Sequence, residues 1–485
     1  MFSGKLYGDV PIKNGLVKIV SGKGESPHVS CACHVSLFSR GGIMELEKVF
    51  IFIVVINCCL YSSESKIEER GASGLEEWAY VTVRPQAHMF YWLYKHPHST
   101  QVPLILWLQG GPGGSSAGFG NFEELGPLDV KLQPRNTTWL SVASLLFVDN
   151  PVGAGFSYVD SEDAYTTDVN MIAADMLTLL KNFFMDSQAG KDLQNVPFYI
   201  FCESYGGKMT AAISDVLYQA VKDNEVNCKF MGLALGDSWI HPFDSTSKWA
   251  PYLLTNSLID ENGYKEIQGG VEQLQQCISD GAWGNATGQW GNIQDLVVKY
   301  TGGVNFYNIL KWGVPEQGFS HRYFTKTERL THRMLDPLHS DPLTDLMNGP
   351  IRKKLKIIPD KVKWGAQSEM VFVKMTEDFM KPVVDIVDKL IQTTDLRVVV
   401  YSGQLDLIVG TPGTEQWVET LKIFPDFFAV KRSPMKDSKT DVVCAYKKTL
   451  KNFSFYWILS AGHMVPQDNG NCALDMVKQI IHSKL

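Results

Sequence analysis

Six short, continuous apolar runs constrain this chain more than any other feature. They are LILWL at 104–108, LLFV at 145–148, PFYIF at 197–201, MGLAL at 231–235, VVVY at 398–401 and FYWIL at 455–459. Each is apolar on both faces, as a strand buried on both sides of a parallel sheet must be. Helical patterns lie between several of them, for example at 167–184. Strands alternating with helices imply a mostly parallel central sheet with helices on both faces. Two more strand-like runs, 78–83 and 88–94, flank a proline-containing turn and read as an antiparallel hairpin. Residues 240–375 break the rhythm with helix-like, polar and turn-rich segments. They read as a mainly helical cap inserted over the catalytic edge of the sheet. The basic run at 352–354 inside the cap reads as a solvated helix face.

At 485 residues the chain can bury a large core, and 45% hydrophobic with 20% charged residues is a globular composition. A net charge of −7 favours neither nucleic acid nor an acidic membrane surface as partner. The apolar run at 49–60 has the length of a signal-peptide core, and it is too short to span a bilayer comfortably. Met44 lies just upstream of it. We therefore expect residues 1–43 to precede the true start and 44–65 to be a signal peptide. The sheet-bearing core would then comprise 66–239 and 376–485, around the cap at 240–375. No stable membrane span is expected after signal cleavage. Sequons at Asn136, Asn285 and Asn452 agree with a secretory route. The terminal Ser-Lys-Leu reads as a peroxisomal address, but a co-translational signal acts first. Five cysteines fall in the expected mature chain, so at least one is free or bonded to another molecule. Cys202 is the best candidate for the free thiol; pairing among the others is not readable.

The run at 197–201 leads into Cys202-Glu203-Ser204-Tyr205-Gly206-Gly207 and then a helix-like stretch. Strand, sharp turn with serine at its tip, then helix is the layout of a nucleophile elbow. The first glycine of the usual G-x-S-x-G is replaced by Cys202, which is small enough to fit where strand and helix nearly touch. Downstream, Asp406 and His463 each follow an expected strand in a glycine-containing loop. Ser, Asp, His is the chain order of an α/β-hydrolase triad. Asp406 would orient His463, and His463 would take the Ser204 proton and pass it to the leaving group. The glycines at 110–114 follow another strand and let backbone N–H groups approach a substrate. Gly111 and Tyr205 would supply the oxyanion hole. No lysine follows those glycines as a phosphate-binding loop requires. The segment DNPVGAGFSY at 149–158 reads as a wall of the cleft.

In family order, WLQGGPGGSS, NFEELGP, VDNPVGAGFSY, ESYGG, GQLDLI and AGHMVP run through about 75–480. In these the chain resembles the serine carboxypeptidases, family S10. Gln109, Gly114 and NGPIRKKLKIIP at 348–359 most resemble its retinoid-inducible branch. The resemblance implies an α/β-hydrolase fold and an acidic serine exopeptidase, secreted or lysosomal/vacuolar, acting on peptide or protein C-termini, without metal or organic cofactor. It also implies that Gln109, Gly110, Glu124 and Glu203 receive the substrate carboxylate. Two glutamates facing a carboxylate would repel it if all were ionised, so one or both would hold a proton. Two other readings use the same residues. One is acyl transfer or ester hydrolysis from the same acyl-enzyme; the other is a binding scaffold without catalysis. Oligomeric state is not legible.

Overall fold

In a computed structural model of the protein, the described residues are 75–312 and 341–482, together with strands at 10–12, 15–17 and 67–73. Strands β1 (Val10–Ile12) and β2 (Gly15–Val17) form an antiparallel pair in one unit, and residues 65–485 form another. Apart from that pair, the expected upstream segment and signal peptide lie outside the described residues, as does the terminal tripeptide.

The six apolar runs become six adjacent parallel strands. They are β6 (Leu104–Leu108), β7 (Ser144–Val148), β9 (Pro197–Glu203), β10 (Lys229–Gly236), β11 (Arg397–Gly403) and β14 (Phe453–Ile458). Their spatial order is β14-β11-β10-β9-β6-β7, parallel throughout. The expected hairpin is β4 (Glu76–Arg84) with β5 (Ala87–Tyr94). It joins antiparallel beside β7, with β3 (Ile67–Ser73) outside it and the short β8 (Tyr158–Val159) on β5. The opposite flank is also antiparallel, through β12 (Ser433–Lys436) and β13 (Val443–Leu450). Apolar periodicity could not reveal these two. SPMK is short, Lys447-Lys448-Thr449 interrupt the apolar residues of VCAYKKTL, and most residues of both are partly or fully exposed. A Cys444–Cys472 disulfide ties β13 to the C-terminal helix Gly470–His482, while Cys202, Cys228 and Cys277 are free thiols.

Alternation along each strand sorts side chains onto two cores. Leu104, Leu106, Phe198, Ile200, Val398 and Val400 enter one; Ile105, Trp107, Tyr199, Phe201, Val399 and Tyr401 enter the other. Helices Val169–Asp186, Tyr205–Lys222 and Val384–Thr393 cover the first face. Ser116–Leu125 and Gly470–His482 cover the second. The layers are those expected of an α/β-hydrolase.

Between β10 and β11 the described residues form helices, turns and isolated bridges but no ladder strand. Helices Glu261–Ser279 and Trp283–Thr301 join the first core through Ile267, Leu274, Trp290 and Val297. The inserted segment therefore shares the core of the sheet domain instead of building its own.

Register brings the strand ends level. Leu108 lies opposite Cys202, Glu203 opposite Gly236, Gly236 opposite Tyr401, and Gly403 opposite Ile458. Because these neighbours are parallel, the segments that follow them all emerge at one edge. There Gln109, Ser204, Asp237, Asp406 and His463 are collected, although up to 354 positions separate them in the chain.

Candidate active site

Ser204 is the last residue before helix Tyr205–Lys222 and has φ 62°, ψ −130°. That left-handed backbone is costly for a residue with a Cβ, and the surroundings hold it in place. Its N–H donates to Gly236 O at 3.0 Å, and its carbonyl accepts from Trp239 N–H at 2.9 Å. A side chain at Gly110 would place its Cβ 2.4 Å from the Ser204 Cβ, so glycine there lets the two loops touch. Gly206 is equally confined, 2.5 Å from Leu108 O in the same sense. Cys202 fits beneath the turn, fully buried, with its thiol donating to Ala234 O at 3.3 Å. Burial pushes this thiol up to about 11, so it stays a neutral, unreactive S–H.

His463 shares a cavity with Ser204, lined also by Gln109, Gly110, Gly111, Glu203 and Tyr205. Its Nδ1 lies 2.7 Å from Asp406 Oδ2, with both side chains buried. With Asp406 ionised, Nδ1 carries the hydrogen and Nε2 presents a lone pair. Nε2 is buried and has no hydrogen-bond partner among the described residues. Asp406 Oδ1 accepts Val409 N–H at 3.1 Å. His463 N–H donates to Tyr307 O at 2.7 Å, and the Tyr307 ring meets the imidazole edge-on at 5.0 Å. Tyr205 N–H is the first of its helix, so it has no intrahelical acceptor and points outward with the positive end of the helix dipole. Gly111, at φ 115°, lines the same cavity.

The carboxylate-binding residues of the sequence reading also meet. Gln109 Nε2 donates to Glu203 Oε1 at 2.8 Å, and Gln109 Oε1 accepts from Trp107 Nε1 at 2.9 Å. Both Glu124 oxygens and Glu203 Oε2 are buried without a donor among the described residues. Burial raises Glu124 to about 7, and its contacts with Glu203 and Gln109 temper the rise. Burial, then the Glu124 charge, hold Glu203 well above the usual carboxylate range. Arg135 attracts Glu124 only as a lesser influence, and no described side chain donates to the free oxygens, so a proton between the two carboxyls is what makes their contact attractive.

The cavity's other walls were not legible in the sequence. Trp239, Trp290, Tyr307, Gln367, Phe379 and Ile408 line it, and several come from the inserted segment. Trp239, Trp290 and Phe379 pack on one another with ring centres 4.8–5.7 Å apart. Aromatic residues so far apart in the chain look like core, and only the tertiary placement turns them toward Ser204. The expected cleft wall at 149–158 is corrected: none of its residues is among those lining this cavity. It braces the glycine loop instead. Asp149 accepts from Ser115 Oγ, Ala117 N–H and Phe156 N–H at 2.8, 3.0 and 2.8 Å. A carboxylate that binds backbone so completely is spent on holding loops.

Lys208 was also missed. It is fully buried and forms an ion pair with Asp378 Oδ2 at 2.7 Å, which also accepts Tyr205 O–H at 2.8 Å. Burial lowers the ammonium to about 8, against the attraction of Asp378. Asp378 lies between β10 and β11, just past the expected cap at 240–375, so this cluster pins that stretch to the residue that follows Ser204.

A family model described as serine carboxypeptidase matches residues 68–483. The retinoid-inducible serine carboxypeptidase of Mus musculus is 50% identical over 90% of this chain and 99% of its own length. The serine carboxypeptidase-like 51 of Arabidopsis thaliana is 39% identical over 91% and 99%. Among solved structures, the prohormone-processing carboxypeptidase Kex1(delta)p of Saccharomyces cerevisiae aligns with a TM-score of 0.69 at 21% identity. That alignment covers 83% of this chain and 90% of the other, and it shows the shared fold.

Lys208→Met leaves Asp378 buried and unpaired, so urea unfolding is expected to show a loss of about 3–5 kcal/mol. The double variant Lys208→Met/Asp378→Asn removes both charges and is expected to recover most of that loss. Equal losses in the two variants would show that packing, not the uncompensated charge, sets the cost.

Proposed function

This chain belongs to the serine carboxypeptidase family, and from that premise we propose how its own residues carry out the release of C-terminal residues from peptides. Ser204 is the nucleophile. His463 Nε2 accepts the Ser204 proton as Oγ attacks the carbonyl carbon of the last peptide bond. Asp406 keeps Nδ1 protonated and stabilises the imidazolium that forms. The N–H groups of Gly111 and Tyr205 receive the developing oxyanion. His463 then protonates the leaving amine, and water repeats the sequence to hydrolyse the acyl-enzyme.

One observation carries the exopeptidase reading at residue level. Gln109, Glu124 and Glu203 form a buried, hydrogen-rich carboxyl cluster, and Glu203 adjoins Ser204. A substrate carboxylate approaching it meets protonated carboxyls and the neighbouring amide groups of Gln109 and Gly110, not a pair of negative charges. The binding-competent form is the protonated one, and its carboxyls titrate above their ordinary range. Binding is therefore present at acidic pH and lost as pH rises through about 7. This supports an enzyme favoured at acidic pH.

The secretory route is part of the same proposal. A disulfide between Cys444 and Cys472 favours an oxidising compartment. Among the described residues, no helix is long and apolar enough to cross a membrane. Asn136 and Asn285 are exposed and suit glycans. Asn452 departs from the sequon expectation. Its amide donates to the carbonyls of Ile391, Thr394 and Leu396 at 3.2, 3.3 and 3.1 Å, and Ser454 is buried. A glycan there would displace those bonds.

For a peptide with a free C-terminus, KM is expected to rise as pH passes through neutrality. A C-terminally amidated peptide should show no such rise, and a pH-independent KM for the free peptide would sink the shared-proton account. Labelling by a fluorophosphonate should vanish in Ser204→Ala; persistent labelling would place the nucleophile elsewhere. Asn136→Gln and Asn285→Gln should each remove one glycan's mass from protein secreted by a eukaryotic host, and Asn452→Gln none.

A further inference from the structure

A second buried carboxyl pair lies behind the triad. Asp237 follows β10, is fully buried, and has a left-handed backbone at φ 41°. The segment that carries it is knitted to both neighbours. Asp237 N–H donates to Tyr401 O at 2.9 Å, while Gly236 and Trp239 bond the backbone of Ser204. One side-chain oxygen, Oδ1, accepts Gly403 N–H at 2.7 Å. The other, Oδ2, is buried with no donor among the described residues. One carboxylate oxygen each of Asp237 and Asp406 and a ring nitrogen of His463 lie within 4.8 Å of one another.

The groups facing Asp237 are Asp406 and His463 from the loops after β11 and β14, Glu203 at the end of β9, and Tyr401 of β11. The only base among them that can become cationic, His463, already has its Nδ1 on Asp406. Two ionised carboxylates this close in a fully buried site would repel strongly.

We propose that Asp237 is a positioning residue for the reaction: it stays protonated and donates a hydrogen bond to Asp406, extending the relay to Ser204, His463, Asp406 and Asp237. The donor holds Asp406 in the rotamer that meets His463 Nδ1. It does so without adding a second negative charge beside the imidazole. Burial first, then the charge of Asp406, keep the Asp237 proton on well above the usual carboxylate range. Asparagine would supply the same neutral donor, while leucine would fill the space without one.

The proposal rests on the triad assignment, which loss of labelling in Ser204→Ala tests separately. The measurement is the rate of fluorophosphonate labelling against pH, which does not involve a substrate carboxylate. Asp237→Leu is expected to lower the rate about 10- to 100-fold, the worth of one hydrogen bond to a charged group. Asp237→Asn should recover most of that loss and leave the acid limb, set by His463, at the wild-type pH. A shift of that limb to lower pH in Asp237→Asn would mean that a negative charge had been removed, and would overturn the proposal. So would a wild-type rate in Asp237→Leu, or a stoichiometric metal ion found in the purified protein and lost in Asp237→Asn. The asparagine readout stands even if the leucine variant does not fold.

Discussion

The close approach of three strand ends around a strained serine is the constraint on which the rest of this structure depends. Ser204 sits at φ 62° between β9 and its helix, with backbone bonds to Gly236 and Trp239 holding it there. A side chain at Gly110 would strike it, so the glycine loop after β6 is committed to this contact. The same turn aims the helix N-terminus at the cavity and sets Glu203 one residue from the proposed nucleophile. The proposed oxyanion donor Tyr205 and the proposed carboxylate receptor Glu203 are thus placed by a single backbone conformation. Asp149 and the Lys208–Asp378 pair secure the loops around it from two sides.

Burial then decides the chemistry of the acids. Asp406 meets His463 Nδ1 and accepts a backbone N–H. Glu124, Glu203 and Asp237 each keep an oxygen without a donor among the described residues, and burial is the leading reason each holds its proton above the ordinary carboxylate range. Low dielectric makes each unpaired charge expensive and each shared proton valuable.

Much of this was legible in the sequence, for reasons that are particular. LILWL, PFYIF and VVVY are apolar on both faces, and only a sheet covered on both sides can hide them. Ser204, Asp406 and His463 each follow such a run, so their meeting at one sheet edge follows from parallel topology. Glu124 was found through family motifs alone, since a single glutamate in a loop carries no pattern. β12 and β13 were missed because flank strands are half exposed and read as polar turns. The segment at 149–158 was misplaced because a glycine-rich loop gives no sign of which loop it braces.

Strand periodicity, the elbow spacing and the order of serine, aspartate and histidine are local properties, and one-dimensional sequence determined them. Asp237 looks like an ordinary residue after a strand until the fold sets its carboxyl near that of Asp406 and gives it no cation. Lys208 looks like a surface helix residue until Asp378, 170 positions away, covers it. Trp239, Trp290 and Phe379 look like core until they face Ser204. Protonation state, pairing and facing depend on which groups arrive from distant parts of the chain and on how much water they exclude. Those are properties of the packed structure, and only the tertiary fold decided them.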